Sequence, residues 1–487
     1  MVFLCVFLPA AFCLHLLLPG MRAKNFLLVV ASLVFYAYGE PIYVILLVAS
    51  SAGNYILARL TGECPKIRKL TMTLAVVINL GLLVIFKYSG FLVDTFNSVT
   101  GAGIPVPQVR MPIGISFFTF QALSYVIDVY RGDASVQKNF GKVLLYISFF
   151  PQLIAGPIVK YHDVEAEINN RKQTPEEIGK GIRRFIAGLS KKVLIANTMG
   201  LVADNLFGAA ATGITGPGAW LGAVSYMLQI YFDFSGYSDM AMGLGLLFNI
   251  KLPVNFNSPY KACTVKELWQ RWHITLSRFF IQYVYIPLGG SRKGKVRTLI
   301  NTFLVFFLSG LWHGANWTYV AWGSMQGLLV VFDNLHLIGV RGSNEKEKAR
   351  FYIPKWLGVF FTFTFFNLSL FFFRSDSMTN AFTMFRNLFS FRSTGYLTKI
   401  AAQLDIPEFY LIRQAINLFQ PSLLNTAYLI LFVLLLVISA VLISRKNALQ
   451  LVEEKSLTGK FSLMIVVLFC WCIISFSQVS TFIYFNF

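Results

Sequence analysis

The chain has 487 residues, of which 56% are hydrophobic and 13% are charged, and its mean hydropathy is +0.62. A soluble domain needs more charged surface than this, so the composition excludes a soluble enzyme and predicts a polytopic membrane protein. The formal charge of +20 would suit a nucleic-acid-binding protein. However, the basic residues fall between apolar stretches, as the positive-inside rule expects of cytoplasmic loops. We therefore predict the lipid bilayer as a partner, and no nucleic acid.

Apolar stretches long enough to cross a bilayer recur along the whole chain, and we treat residues 1–487 as one membrane domain. A spanning helix needs about 20 apolar residues, so splitting the longer stretches predicts about 11 to 13 transmembrane or re-entrant helices. We interpret the first stretch as a retained helix, because no basic region or small-residue cleavage site accompanies it. Counting crossings from the basic loops places both termini outside the cytoplasm. The stretches lie near residues 2–19, 25–58, 70–87, 112–130, 143–159, 218–250, 274–288, 298–333, 356–374, 424–444 and 461–486.

Two longer loops interrupt the apolar pattern. Residues 160–192 form a predicted cytoplasmic loop, in which Thr174 and Glu177 have the spacing of a capping box. The apolar residues that follow recur at helical spacing among lysines and arginines, which predicts an amphipathic helix at the cytoplasmic interface. Residues 375–423 form a predicted extracytoplasmic loop with short helices.

Two carboxylates lie in the apolar segment "YFDFSGYSDMAMGLG" (231–245). Buried carboxylates must pair or accept hydrogen bonds, so Asp233 and Asp239 either hold helices together, line a polar path or support other functional groups. We favour the structural role. The six cysteines have no CxxC spacing, so neither a metal site nor a disulfide framework is predicted.

A first candidate histidine lies in "ELWQRWHITLSRFF" (267–280). A continuous helix would place His273 on one face with Trp269, Ser277 and Phe280, because positions four and seven apart align. The following loop, "YIPLGGSRKGKVR" (285–297), alternates glycines with Arg292, Lys293 and further basic residues. Such a loop would suit the phosphates of an acyl donor, although an ordinary positive-inside turn explains it more simply.

A second candidate histidine lies in "GLWHGANW" (310–317), inside an apolar run. If the segment is helical, His313 lies roughly 24 Å from Arg297, well across the bilayer core. An ionisable group at that depth indicates a functional site. Two simpler explanations stay open: a G-x-x-x-G pair, Gly310 and Gly314, is typical of helix packing, and the nearby tryptophans would suit an interfacial belt.

The two histidines together favour one site. Imidazole is suited to take a proton from a hydroxyl near neutral pH, which is the task of a general base in acyl transfer. Further candidates for substrate or donor binding are Trp312, Asn316, Trp269, Ser277, Arg292, Lys293, Asp233 and Asp239.

Several long motifs in fixed order resemble the membrane-bound O-acyltransferase family, and within it the bacterial alginate O-acetyltransferase branch. Beyond residue 340 or so the resemblance is mainly in hydropathy. The motifs are "MPIGISFFTFQALSYVIDVYRGD" (111–133), "YISFFPQLIAGPIVKY" (146–161), "LQIYFDFSGYSDMAMGLG" (228–245), "NFNSPY" (255–260), "LWQRWHITLS" (268–277), "YVYIPLGGSRKG" (283–294) and "GLWHGANW" (310–317).

The resemblance implies an all-α ring of tilted helices around a central funnel or tunnel, where acyl donor and acceptor meet from opposite membrane faces. It places His313 at the family's catalytic histidine position, as general base, and His273 at the second histidine position of this branch, where it orients substrate or stabilises charge. It implies no bound cofactor. The substrate would be an acyl thioester, either acetyl-CoA or a carrier-bound acyl group.

The resemblance also implies a multi-pass protein of the cytoplasmic (inner) membrane of a bacterium. It would work with an extracytoplasmic esterase-like acetyltransferase that modifies the polysaccharide, so that contact with the acceptor is indirect. Alginate-type exopolysaccharide, cellulose and peptidoglycan stay open as acceptors. The alternatives are a D-alanyl transferase for teichoic acid and a transporter without a bond-making step, for which paired broken helices would be expected.

Overall fold

The computed structural model describes residues 1–208, 214, 216–341, 349–390, 410–445, 447, 450, 452 and 459–477. Helices dominate this part of the chain, which confirms the predicted all-α class. The chain divides into two compact units. The first contains Met1–Phe185 and Met240–Val254, and the second contains Ile186–Asp239 and Asn255–Phe487.

Turns and longer loops, such as residues 101–114 and 149–160, separate the helices of the first unit. A π-helical turn, Phe3–Phe7, precedes the first helix, and another, Val84–Tyr88, joins the fourth to the fifth. The helices are α1 (Leu8–Leu17), α2 (Met21–Gly39), α3 (Tyr43–Glu63), α4 (Arg68–Leu83), α5 (Ser89–Thr100), α6 (Ile115–Arg131), α7 (Phe140–Ser148) and α8 (Tyr161–Asn169).

Two helices, α9 (Pro175–Ser190) and α11 (Gly216–Leu247), contribute residues to both units. The second unit also has a two-stranded parallel ladder, β1 (Ile338–Val340) with β2 (Phe351–Ile353), which the hydropathy pattern did not predict. Its other helices are α10 (Asn197–Gly208), α12 (Val265–Arg271), α13 (Ile274–Phe280), α14 (Lys295–His313), α15 (Trp317–Asp333), α16 (Lys355–Arg374), α17 (Met378–Asn387), Tyr410–Phe419, Leu424–Ser444 and Gly459–Ile474.

Within the described ranges, seven helical segments are long and apolar enough to cross a membrane, which confirms a multi-pass membrane protein. Other predicted stretches fold as shorter helices. For example, the stretch 143–159 is helical only up to Ser148, and the residues after it are buried without regular structure. Protein atoms must then satisfy the non-helical backbone. The seven segments are Met21–Gly39, Tyr43–Glu63, Pro65–Thr100, Pro175–Gly208, Lys295–His313, Lys355–Arg374 and Pro421–Ser444.

The two predicted loops are partly described. The helix after Thr174 forms as expected, and the Thr174 hydroxyl accepts a hydrogen bond from the Glu177 amide at 3.3 Å. Its basic residues Arg183 and Arg184 are buried, and the cytoplasmic interfacial position of the helix stays a prediction. In the 375–423 loop the short helices α17 and Tyr410–Phe419 form. Residues 391–409 lie outside the described part, as do 478–486 of the last apolar stretch.

In the first unit, polar side chains tie together α3 and α4. Asn54 and Asn79 exchange side-chain hydrogen bonds of 3.1 and 2.7 Å, and the hydroxyls of Thr61 and Thr71 lie 2.8 Å apart. All four side chains are buried. Between apolar helices such bonds stabilise association, because lipid offers a polar group no alternative partner.

In the second unit, glycines let α14 and α15 pack closely. A Cβ atom on Gly310 would lie 2.4 Å from the Tyr319 carbonyl oxygen and 2.9 Å from the Gly323 Cα, and a Cβ on Gly314 would overlap the Tyr319 ring. Helix packing therefore explains Gly310, whereas Gly314 lies in extended backbone just after α14 and makes room for the Tyr319 ring. The hairpin places the C-terminal end of α14 beside the first turns of α15.

We expect Gly310→Ala to destabilise the second unit, because the new methyl group meets backbone atoms that cannot rotate away. Overpacking of this kind typically costs about 1–3 kcal/mol. Thermal unfolding of the detergent-purified protein measures the effect. The matched control is Gly53→Ala in α3, where a Cβ would meet nothing within 4 Å. Equal unfolding temperatures for the two variants would contradict the close contact.

Candidate active site

The chain leaves helical geometry at His273. α12 ends at Arg271, Trp272 is extended, and His273 has φ 45° and ψ 52° before α13 begins at Ile274. Left-handed backbone is uncommon for a residue with a side chain and often marks a functional site. The prediction of one continuous helix through Trp269, His273, Ser277 and Phe280 is therefore wrong.

An extended segment of the same unit holds this break. The Asn257 amide donates to the Arg271 carbonyl at 2.9 Å, and the Ile274 amide donates to the Asn255 carbonyl at 3.0 Å. Backbone groups that a continuous helix would bond internally are thus satisfied by residues 255–257. Helical periodicity cannot reveal this, because the competing partner lies more than a dozen residues upstream.

The side chain of Asn255 continues the contact. Its Oδ1 lies 3.1 Å from His273 Nδ1, 3.2 Å from the Thr275 amide nitrogen and 3.0 Å from Thr275 Oγ1. Its Nδ2 donates to Ser238 Oγ on α11 at 3.4 Å. His273 itself is 1% exposed. A single buried amide therefore links α11, the extended segment and the imidazole.

His313 is the last residue of α14 and is 2% exposed. Its ring centroid lies 5.3 Å from that of Trp322 on α15 and 5.1 Å from that of Phe373 on α16, both in edge-to-face geometry. Aromatic pairs favour this arrangement. The imidazole is thus buried among aromatic rings at a helix end.

Trp312 brings the two histidines into one cluster. Its ring centroid lies 6.0 Å from that of His273 and 4.9 Å from that of His313. Trp312 and Trp322 are buried while Trp317 is exposed, so an interfacial belt explains only Trp317. The structure brings together His273, Trp312 and His313, as the shared-site hypothesis requires.

Trp269 and Ser277 lie in the layer next to this cluster. Trp269 Nε1 donates to Gln326 Oε1 at 3.3 Å, and Gln326 Nε2 donates to Ser369 Oγ at 2.8 Å. Ser277 Oγ donates to the Trp269 carbonyl at 3.2 Å. The Trp269 ring lies 5.6 Å from that of Trp322, which forms one side of the His313 pocket. These bonds show how the pocket wall is fixed.

The two carboxylates of α11 form ion pairs with consecutive lysines. Asp239 lies 2.6 Å from Lys191 Nζ, and Asp233 lies 2.5 Å from Lys192 Nζ. Three of the four side chains are buried and Lys191 is partly so. The lysines belong to the π-helical turn Lys191–Ala196, which follows α9. The sequence required partners for these carboxylates, and the structure identifies them.

Arg292 and Lys293 are exposed in the loop before α14. The amides of Gly289, Gly290 and Arg292 donate to carbonyls within the loop, at 2.9, 2.9 and 3.1 Å. These three amides already have acceptors within the turn. A phosphate would therefore contact the cationic side chains. This geometry favours the ordinary-turn explanation of the loop.

Asn316 caps α15. Its Oδ1 accepts from the Thr318 amide at 3.0 Å, and its Nδ2 donates to the Asp376 carbonyl at 3.0 Å. A cap of this kind fixes where a helix begins. Asn316 therefore helps to set the position of α15 against the end of α14.

The thiol of Cys263, just before α12, is disfavoured as a nucleophile. Burial, together with the Glu267 carboxylate 3.0 Å from the sulfur, raises the pKa of the Cys263 thiol to about 12. The thiolate needed for a covalent acyl intermediate is therefore scarce at neutral pH. Among the residues that the structure describes, no group of three or more His, Cys, Asp or Glu side chains could hold a metal ion.

Sequence reasoning missed Asn255, Phe373 and Trp322 as neighbours of the histidines. Asn255 had a signal, because it opens the "NFNSPY" motif. No sequence signal marks Phe373, because it is one of several phenylalanines near the end of α16. Only tertiary packing selects which of them faces His313.

Comparison with known proteins agrees with this geometry. The profile of the membrane-bound O-acyltransferase family matches residues 133–375, which include both histidines. The chain is 40% identical over 397 residues to the probable alginate O-acetylase AlgI of Pseudomonas syringae pv. tomato, covering 80% of this chain and 74% of the relative.

Two further relatives differ in coverage. The chain is 34% identical over 522 residues to the peptidoglycan O-acetyltransferase of Helicobacter pylori, covering 100% of this chain and 96% of the relative. It is 29% identical over 285 residues to the teichoic acid D-alanyltransferase of Streptococcus thermophilus, covering 52% of this chain and 65% of the relative. The chain therefore belongs to the membrane-bound O-acyltransferase family and is a multi-pass membrane O-acyltransferase.

Proposed function

We propose that this protein moves acetyl groups from a cytoplasmic thioester donor across the membrane for O-acetylation of a cell-surface polysaccharide. The observation that carries the proposal is the buried cluster in which the Trp312 ring lies 6.0 Å from that of His273 and 4.9 Å from that of His313. The names of the relatives at 40% and 34% identity, an alginate O-acetylase and a peptidoglycan O-acetyltransferase, support acetyl as the acyl group.

In the proposed mechanism His313 is the general base. The acceptor hydroxyl attacks the thioester carbonyl carbon while the imidazole takes the hydroxyl proton. The carbon–sulfur bond then breaks, and the leaving thiolate receives that proton. The aromatic edges around His313 keep water away from the reacting atoms, which limits hydrolysis of the donor.

The proposal also specifies the membrane, the acyl donor and the partner protein. The protein would lie in the cytoplasmic membrane of a bacterium and use acetyl-CoA or a carrier-bound acetyl group. An extracytoplasmic esterase-like transferase would receive the acetyl group and place it on the polysaccharide. Asp233 and Asp239 would support the site through their ion pairs, and Arg292 and Lys293 would attract the anionic donor to the cytoplasmic side.

We expect His313→Gln and His313→Ala to lower acetyl transfer by about 10²–10⁴-fold, because neither side chain can take the proton. The measurement is the O-acetyl content of surface polysaccharide in a deletion strain complemented with each variant at matched membrane level. His162→Gln is the control, because His162 lies in the first unit, partly exposed beside Asp163. Wild-type acetylation in both His313 variants would overturn the general-base mechanism.

The acceptor is identified by fractionation of the same strains. We expect the acetyl ester to disappear from one polymer, either an exopolysaccharide or peptidoglycan, when the protein is deleted. D-Alanyl ester is measured in parallel. If D-alanyl ester disappears while acetyl ester is unchanged, the acetyl proposal fails and the D-alanyl relative is the better guide.

We expect Asp233→Asn to lower the membrane level of the protein more than its turnover per folded molecule. Removing one partner of a buried ion pair typically costs about 3–5 kcal/mol, because the other charge is left uncompensated. The Lys192→Met/Asp233→Leu double variant removes both charges and is expected to recover protein level. A loss of turnover at normal protein level would instead place Asp233 in the reaction.

A further inference from the structure

We infer that Asn255 is a positioning residue that fixes His273 in the tautomer with hydrogen on Nδ1, so that Nε2 carries the lone pair. This inference rests on the proposed function, because it assigns His273 a defined task in the same site. The resemblance implies two alternative roles for His273, orienting substrate or stabilising charge. The tautomer distinguishes between them.

The orientation of the Asn255 amide follows from its neighbours. A backbone N–H can only donate, and the Thr275 amide lies 3.2 Å from the atom assigned as Oδ1. The other amide atom, Nδ2, lies 3.4 Å from Ser238 Oγ, which can accept. Reversing the amide would put two donors against each other at Thr275. The hydrogen-bond network therefore assigns the oxygen to the His273 side.

The tautomer of His273 follows from that orientation. Nδ1 lies 3.1 Å from Asn255 Oδ1, and an oxygen of an amide can only accept. Nδ1 must therefore carry the hydrogen. In a neutral imidazole the other nitrogen, Nε2, is then an acceptor.

The same residue holds the backbone of His273. The Asn255 carbonyl accepts from the Ile274 amide at 3.0 Å, directly after the left-handed residue. A conformation of this kind persists only where surrounding contacts over-determine it. Asn255 thus supplies two of those contacts, one through its backbone and one through its side chain.

The tautomer gives the two histidines different roles in the reaction. A neutral His273 with its lone pair on Nε2 cannot donate a hydrogen bond from that atom to a developing oxyanion. It instead holds a substrate group that donates a hydrogen bond, a hydroxyl or an amide N–H, while His313 takes the proton of the attacking hydroxyl. The rings of Phe234 and Trp312 lie 4.6 and 6.0 Å from that of His273, and neither of these side chains nor that of Asn255 is titratable.

The test compares Asn255→Asp and Asn255→Ala with wild type in purified protein, using acetyl-CoA as donor. An aspartate keeps the acceptor beside Nδ1 but adds a negative charge, which favours the protonated imidazole. We expect a lower unfolding temperature, because this buried side chain gains a charge, and, in the folded protein, an acidic limb of the kcat profile that moves up by about 1 pH unit or more. Asn255→Ala is expected to lose at least tenfold in kcat.

Two matched variants separate positioning from packing. Asn257→Ala changes an exposed side chain on the same extended segment and leaves its backbone bond to Arg271 intact, so wild-type behaviour is expected. Thr275→Val removes a hydroxyl that contacts the same Asn255 oxygen. It is expected to lower stability without moving the pH profile.

The outcomes separate this inference from the proposed function. An Asn255→Asp profile that superimposes on wild type, while His273→Gln is inactive, overturns the positioning role alone. A shifted profile for Thr275→Val that equals that of Asn255→Asp also overturns it, because general packing would then explain both. Full acetyl transfer by His273→Gln overturns this inference and leaves the proposed function standing, because His313 is the proposed base. No acetyl transfer by wild type overturns both.

Discussion

The need to satisfy backbone polar groups in an apolar environment governs this structure. In the bilayer core an unsatisfied N–H or C=O costs several kcal/mol, so a helix can break only where other protein atoms replace its lost hydrogen bonds. The break at His273 meets this requirement through Asn255 and Asn257, which take the groups on either side of it. The candidate site lies where the helix is interrupted, and residues 255–257, which precede it in the chain, supply hydrogen bonds that the interruption needs.

The polar groups of the second unit fall into two classes. The carboxylates of α11 are each matched by a lysine of the π-helical turn, and the amide of Gln326 is matched by Trp269 and Ser369. These groups fix helices against one another. The imidazoles of His273 and His313, in contrast, are surrounded mainly by aromatic edges. The ion pairs thus account for the carboxylates, and His273 and His313 stay the candidates for proton transfer in the proposed mechanism.

Much of this arrangement could be predicted from sequence because its signals are local. Hydropathy gave the helical class, the capping box located the start of α9, and the depth of His313 in an apolar run singled it out. The helix break at His273 could not be predicted in this way. The break is stabilised by the backbone hydrogen bonds that residues 255 and 257 form with Ile274 and Arg271, whereas the local pattern around His273 favours a continuous helix. Likewise, nothing in the sequence distinguishes Phe373 from Phe371 or Phe372, all of which are buried.

The pocket around His313 also has a consequence for biogenesis. Side chains of α14, α15 and α16 line this pocket. During synthesis, both histidines therefore leave the ribosome before Phe373. A nascent chain that has inserted only as far as α15 holds its imidazoles in a pocket that lacks one side. If His313 is the base, as proposed, acyl transfer requires α16 to be in the membrane, because Phe373 supplies that side of the pocket.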